Sequence, residues 1–472
     1  MTEGIYAERG VSVVGAGEAG IKIAAQFATG PSFLPVHGLR FTGYRPSEEY
    51  YPIRWVGFDT EPSTIQVLQR MGWSQDLLEQ RLFIIHTIPD EEIRRKLLKQ
   101  FGQDAPELRE TWGTSKMRLT SAGIGGQSIA GLLTAEYFFT ESESEQFRNE
   151  IRDKIQRDSL LFPRDALLLI HGLAGGTGSG FAPYLLNFLV GDVLEQSALC
   201  LTISALPNTN DKSHPISMLL ATYHLLNNTV LAGVVLIDNA YLLTAGHLRD
   251  LIKINEWVHE VLSPLLVAFS GRYNRADFAS TLDPADTRRW LTPRGYLVEK
   301  GPAQFCCIGF SRLPFPWIGQ PDPDELLSEL VENCFKNVSV LPDVDEQRRV
   351  FASGAVGILS GPPRLYDKIL RKATYDQKLQ DMISSNINWS EGVRLKMGYL
   401  QFDQQKDARL TLVLGGVEPV RLRNILGTVE QSLTKRARDQ TLADRIRALD
   451  ERRLYEAYIQ EVGRYFIGPP IR

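Results

Sequence analysis

The chain has 472 residues, of which 43% are hydrophobic and 23% charged, the balance of a soluble globular protein with room for roughly two to four domains. Its net charge of -4 provides no basic footprint, so direct nucleic-acid binding is not expected. Cys200, Cys306, Cys307 and Cys334 form no CxxC pair and have no spaced histidine, which argues against a zinc site or a disulfide framework. Reduced core thiols in a cytoplasmic protein are expected instead.

The N-terminal stretch "MTEGIYAERGVSVVG" lacks the charged-then-apolar layout of a signal peptide. From there the first half alternates apolar strands with helical stretches. Strands are expected at 11–14, 53–59, 116–122, 166–172, 199–207 and 230–238. Helix-like segments such as "GIKIAAQFA", "IAGLLTAEYFF", "FAPYLLNFLVGDVL" and "PISMLLATYHLLNN" lie between them. Several strands are continuously apolar, as buried parallel strands are, and the pattern predicts an α/β doubly wound, mostly parallel sheet. Residues 166–191 carry no charge, but their glycines suit a buried strand, a turn and a core-facing helix better than a membrane span.

A long central helix is expected over 246–271. Beyond it, strands at 305–314, 350–361, 392–402 and 408–416 and helices near 324–337, 363–385 and 418–436 predict a second α+β domain over 272–435. The arginine-rich residues 436–472 read as a helical extension with i,i+4 ion pairs. Residues 1–245 would then form the ligand-binding domain, because doubly wound sheets bind ligands beyond the carboxyl ends of their strands.

Those strand ends are rich in glycine and small polar residues. "GAGEAG" follows the first strand, "DTEPST" the second, "GIGGQSIAG" the third, "GLAGGTGSG" the fourth and "DNAY" the last. Backbone amides in such turns bind phosphate without side-chain charge. A Walker loop needs GK[ST], and "GTGSG" has no lysine; Ser179 is in no GxSxG elbow, because Thr177 takes the place of the first glycine. "GAGEAG" also fits the dinucleotide fingerprint, but Asp59, the first acid to end the second strand, comes too late for that site, leaving a nicotinamide or flavin oxidoreductase as a minor alternative. Thr177 and Ser179 could instead cap the helix that follows, a role compatible with phosphate contact, and His171 reads as a satisfied core residue.

"HGLAGGTGSGF" resembles the signature loop of the tubulin/FtsZ family, GGGTGSG or GGGTGTG, with Ala174 in place of its first glycine. The neighbouring loops match in order, so the resemblance runs over roughly residues 10–435. It implies GTP or GDP held by Gly17, Glu18, Ala19 and Gly20 of the first loop, Asp59 and Glu61 of the second, and Gly123, Gly125, Gly126 and Gln127 of the third. In the signature loop it implies Ala174, Gly175, Gly176, Thr177, Gly178 and Ser179. Glu18 and Glu61 are the implied Mg²⁺ ligands, although Glu18 fits equally well pointing away from the phosphates. "IDNAYLL" and "LIKINEWV" place Asn239 and Asn255 at the guanine, whose edge two amides can read.

The family assembles head to tail, and the loop after the central helix completes the next subunit's site. Here that loop is "GRYNRADF", which assigns catalysis to Asn274 and Asp277, one residue further apart than the family spacing. Ser280 stands where a further acid is expected, His214 where the family keeps a ribose-binding glutamate, and Leu251 where it stacks an aromatic ring on guanine. The resemblance therefore implies a GTPase that forms filaments with copies of itself, with residues 436–472 available to an adaptor or membrane tether. The altered loop keeps open a GTP-binding regulatory or partition protein without dynamic polymers.

Overall fold

The computed structural model describes, with short gaps, residues 9–27, 53–85, 131–162, 164–208, 218–269, 282–292, 303–315, 322–367 and 373–425. The strand expected at 116–122, residues Gly123, Gly125, Gly126, Gln127, His214, Asn274, Asp277 and Ser280, and the extension 436–472 lie outside the described residues.

The first part follows the expected alternation. β1 (Arg9–Ala16) leads into α1 (Gly17–Gln26), and β2 (Ile53–Asp59) into α2 (Ser63–Arg70), α3 (Gln75–Arg81) and a short β3 (Leu82–Ile84). After α4 (Glu145–Arg157), β4 (Arg164–Gly172) turns into α5 (Gly176–Phe188), then come β5 (Gln196–Leu206), β6 (Gly233–Asp238) and α6 (Asn239–Thr244). The central helix α7 (Leu251–Phe269) begins later than expected, because the Asp250 carboxylate accepts the Lys253 amide at 2.8 Å and caps the helix there.

The remainder comprises α8 (Pro284–Leu291), β7 (Gln304–Pro314), α9 (Pro323–Lys336), β8 (Val350–Ala352) and β9 (Gly354–Gly361), followed by α10 (Pro363–Leu365), α11 (Ala373–Ser385), β10 (Ile387–Trp389), β11 (Leu395–Gln401) and β12 (Asp407–Gly415). The apolar run 350–361 is thus two strands in different sheets: β8 pairs with β10, and β9 joins the main sheet.

That main sheet has ten strands in the order β11-β9-β12-β7-β6-β5-β4-β1-β2-β3. β1 to β6 run parallel, β7 continues parallel to β6, and β12 is antiparallel to both its neighbours. The sheet is therefore continuous from the first half of the chain into the second. From β1 the chain builds outward to β2 and β3, then returns to add β4, β5 and β6 on the other side. The order reverses between β1 and β4, the switch point at which open α/β sheets bind ligands.

Alternation along the strands feeds two cores. In β1, Val11 and Val13 face one, shared with α1 and α7; Val14 and Ala16 face the other, shared with α4, α5 and α9. With both faces covered, continuous apolar strands are what burial requires. α5 is buried on nearly every side, which explains the uncharged stretch. No described helix is long and apolar enough to cross a membrane. All four cysteines are buried and unbridged.

α7 lies against α1 and β1 of the first half and β9, β11 and β12 of the second. Charges reinforce this link. Arg409, 2% exposed, pairs with Asp407 at 2.9 Å and with Glu260 of α7 at 3.4 Å, and half-exposed Arg312 reaches both acids. Removing one partner of a buried pair strands the other charge, whereas exposed pairs contribute little. Arg409→Met is therefore expected to lower unfolding free energy by about 2 kcal/mol. Arg312→Ala should cost less than about 1 kcal/mol, and urea denaturation of the two variants measures the difference.

Candidate functional site

The turns after β1, β2, β4 and β6 meet at one cleft of about 840 Å³. Its first wall is the β1–α1 turn. Gly17 holds a φ of +72°, a left-handed conformation that side chains resist, and a Cβ there would sit 3.0 Å from the Gly178 amide nitrogen. Gly17, Glu18 and Ala19 line the cleft, whereas Gly20 lies behind it. A Cβ on Gly20 would meet the Ile170 carbonyl oxygen at 2.0 Å, so its role is to let α1 pack directly on β4.

The β4–α5 turn supplies Gly175, Gly176, Thr177 and Gly178. Ala174 instead packs half-buried against the core, and the Ser179 hydroxyl donates back to the Gly175 carbonyl rather than capping the helix amides. Neither α1 nor α5 has a side-chain cap at its N-terminus, in contrast to α3, α8 and α9, which are capped by Ser74, Asp283 and Asp322. Two helix N-termini with amides left for a ligand thus face one cleft, an arrangement suited to anions. Gly131 is packed against the signature loop, since a Cβ on it would meet the Gly176 carbonyl oxygen at 2.1 Å.

The β2–α2 turn adds Asp59, Thr60 and Glu61. Asp59 is 2% exposed and organises this turn by accepting the Thr60 amide at 2.8 Å and the Thr64 hydroxyl at 2.6 Å. Burial pushes its carboxyl above the ordinary range, and those hydrogen bonds oppose the shift. The Thr60 and Thr177 hydroxyls are 2.6 Å apart, joining the second and fourth turns across the end of β1.

At the other end of the cleft are Asn239 and Asn255, with Ile237, Ile254 and half-exposed Leu251 around them. Asn239 is placed by the buried Asp238, which accepts the Ala240 and Tyr241 amides at 3.0 and 3.1 Å and is ion-paired with Arg421 beyond β12. Burial raises the Asp238 carboxyl and the Arg421 charge opposes that rise. The apolar side chains can cover an aromatic ring while the two amides read its edge.

Four polar cleft residues were not named from the sequence: Lys22 and Gln26 on α1, Thr60 after β2, and Arg70 on α2. Helical spacing puts Glu18, Lys22 and Gln26 on one face, a signal that was available once α1 had been placed. Glu18 is ion-paired with Lys22.

Residues 114–246 match the family described as Tubulin/FtsZ family, GTPase domain. Among solved structures, the chain is similar to a GTPγS-bound protofilament of CetZ2 from Haloferax volcanii, at 17% identity over 90% of this chain and 99% of that one, with a TM-score of 0.56. It is also similar to CetZ from Methanosaeta thermophila strain DSM 6194, at 16% identity over 97% and 99% of the two chains, TM-score 0.57. A third likeness is to a GTPγS-form protofilament of TubZ from Bacillus thuringiensis serovar israelensis, at 15% identity over 95% of each chain, TM-score 0.56. At such identities the structural likeness is one of fold. Together with the family match over residues 114–246 it supports a divergent member of the tubulin/FtsZ superfamily.

That family implies a magnesium ion. Among the described residues no three His, Cys, Asp or Glu side chains converge on one point. Nucleotide-bound Mg²⁺ needs only one or two carboxylates, with phosphate and water completing its shell. Glu61 and Glu18, both on the cleft, fit that requirement, although Lys22 competes for Glu18.

Beneath the signature loop, buried His171 places Nε2 2.7 Å from the Ser204 hydroxyl; on α7, buried His259 lies against the Phe27 ring. Burial pushes both imidazoles down to about 4. Above the ordinary value of 6.5 both rings are neutral whether the chain is folded or not. Between 6.5 and about 4 the unfolded chain takes up protons that the folded one refuses, so stability falls with pH. The loss should reach about 3 kcal/mol per histidine. His171→Asn and His259→Asn should each remove about one proton from the uptake on unfolding. Urea midpoints measured from pH 7 to 4.5 test this, and an unchanged slope in both variants contradicts it.

Proposed function

We propose that this chain binds GTP and GDP in the cleft and that its GTP form assembles head to tail with copies of itself. The observation that carries the reading is the convergence, on one cleft, of two uncapped helix N-termini at one end and Asn239 and Asn255 at the other. The first end suits a polyphosphate and the second a purine edge. The GTPγS-bound and GTPγS-form protofilaments of CetZ2 and TubZ support the assembly reading by their likeness of fold.

On this reading the amides of the β1–α1 and β4–α5 turns hold the phosphates. Amides of the third glycine stretch, at Gly123, Gly125, Gly126 and Gln127, add to them. Glu61 and Glu18 would hold Mg²⁺, which when bound offsets phosphate charge. Asn274 and Asp277 of one copy orient the attacking water over the neighbour's γ-phosphate, so hydrolysis waits for assembly. The 271–278 spacing makes this last step the most divergent part of the site.

Sedimentation with GTP and with a non-hydrolysable analogue tests assembly, and phosphate release tests turnover. Both nucleotides are expected to give a pellet, and Asp277→Ala should keep GTP affinity while turnover falls by about tenfold or more. A protein that binds GTP yet pellets with neither nucleotide is a regulatory or partition GTP-binding protein instead. Unchanged turnover in Asp277→Ala removes the assignment of that residue.

A further inference from the structure

A triphosphate brings several negative charges, and the glycine turns meet it with dipoles alone. Among the described residues, the charged side chains lining the cleft are Glu18, Asp59 and Glu61 against Lys22 and Arg70. Acids therefore outnumber cations where an anion is to bind, and the placement of each cation matters.

Lys22 is the better placed. It lies four residues beyond Glu18 on α1, and the two side chains form an ion pair, 29% and 47% exposed respectively. Long helical side chains lean toward the helix N-terminus. The pairing therefore brings the Lys22 ammonium back over the first turn of α1, whose free amides meet the β4–α5 turn beside Gly178. An exposed pair at this spacing holds weakly and yields to a stronger anion. Arg70, at the far end of α2 among Val67 and Met71, has no ion-pair or hydrogen-bond partner among the described residues. It lies two helical turns from the Asp59–Glu61 turn that faces the signature loop.

We propose that Lys22 is the side-chain cation of this cleft, shared between Glu18 and the phosphates of a nucleoside di- or triphosphate. Entry of the nucleotide transfers the ammonium from carboxylate to phosphate and frees Glu18. Glu18 thus competes with the ligand for Lys22 and repels the ligand itself, which sets affinity below what the turns and the lysine would give together. The inference rests on the cleft being a guanine-nucleotide site.

Calorimetric titration of the full chain with GDP and GTP, and competition by guanosine, test it. A chelator is present throughout, so that Glu18 acts only through Lys22 and charge. Lys22→Gln is expected to weaken GDP and GTP by about tenfold or more while leaving guanosine unchanged. Glu18→Gln is expected to tighten both phosphorylated ligands, and raising salt should narrow the difference between wild type and Lys22→Gln. Both side chains are partly exposed, so unchanged melting temperatures should show the variants folded. Wild-type affinity in Lys22→Gln, an equal loss of guanosine, or a loss that appears in Arg70→Gln instead overturns the assignment of Lys22. Failure of the wild type to bind any guanine nucleotide overturns the guanine-nucleotide reading itself, and Lys22's role with it.

Discussion

Two parallel strands lie side by side, and each turns directly into a helix. The rest of the cleft depends on that constraint. β1 pairs with β4 so that Ala16 stands opposite His171, which brings α1 and α5 to start next to each other. Their first amides have no side-chain caps, and the turns approach so closely that Gly17 and Gly178 are nearly in contact. A site built this way draws its field from oriented backbone rather than from a row of cations. It can therefore tolerate Asp59 and Glu61 at its edge, provided that Asp59 is tied down by the Thr60 amide and the Thr64 hydroxyl.

The cleft is not isolated from the second half of the chain. Asp238, which caps the helix that begins with Asn239, is paired with Arg421 beyond β12. α7 carries Asn255 at one end of the cleft and Glu260 in the charge cluster around Arg409 about a turn later. The Asn239–Asn255 end of the cleft is thus mechanically joined to β7 and β12 through two ion-paired contacts and one helix. The ten-stranded sheet adds a further connection, through the pairing of β6 with β7.

Much of this was legible in the sequence. Buried parallel strands announce themselves as apolar runs, and glycine turns mark their carboxyl ends, so β1, β2, β4, β5 and β6 and the glycines that follow them could be placed. Short elements could not: β3, α6 and α8 are each too brief for periodicity to stand out. The run 350–361 looked like one strand because periodicity says nothing about a chain that changes sheets at Ser353. Partners distant in sequence were equally hidden, as with Asp238 and Arg421, or His171 and Ser204. Lys22 was a different case. A lysine four residues from a carboxylate is usually a solvated pair, and only the cleft wall gives it a second meaning.

The claim on which the account turns is that main-chain amides of the β1–α1 and β4–α5 turns hold the phosphates while Asn239 and Asn255 hold the base. Hydrogen–deuterium exchange with and without nucleotide reads those amides directly. GTP is expected to slow exchange at residues 16–20 and 173–180, and more weakly at 239–242 and 251–255, while ATP at the same concentration leaves them unchanged. Binding of GTP with no protection at either glycine turn would contradict the account.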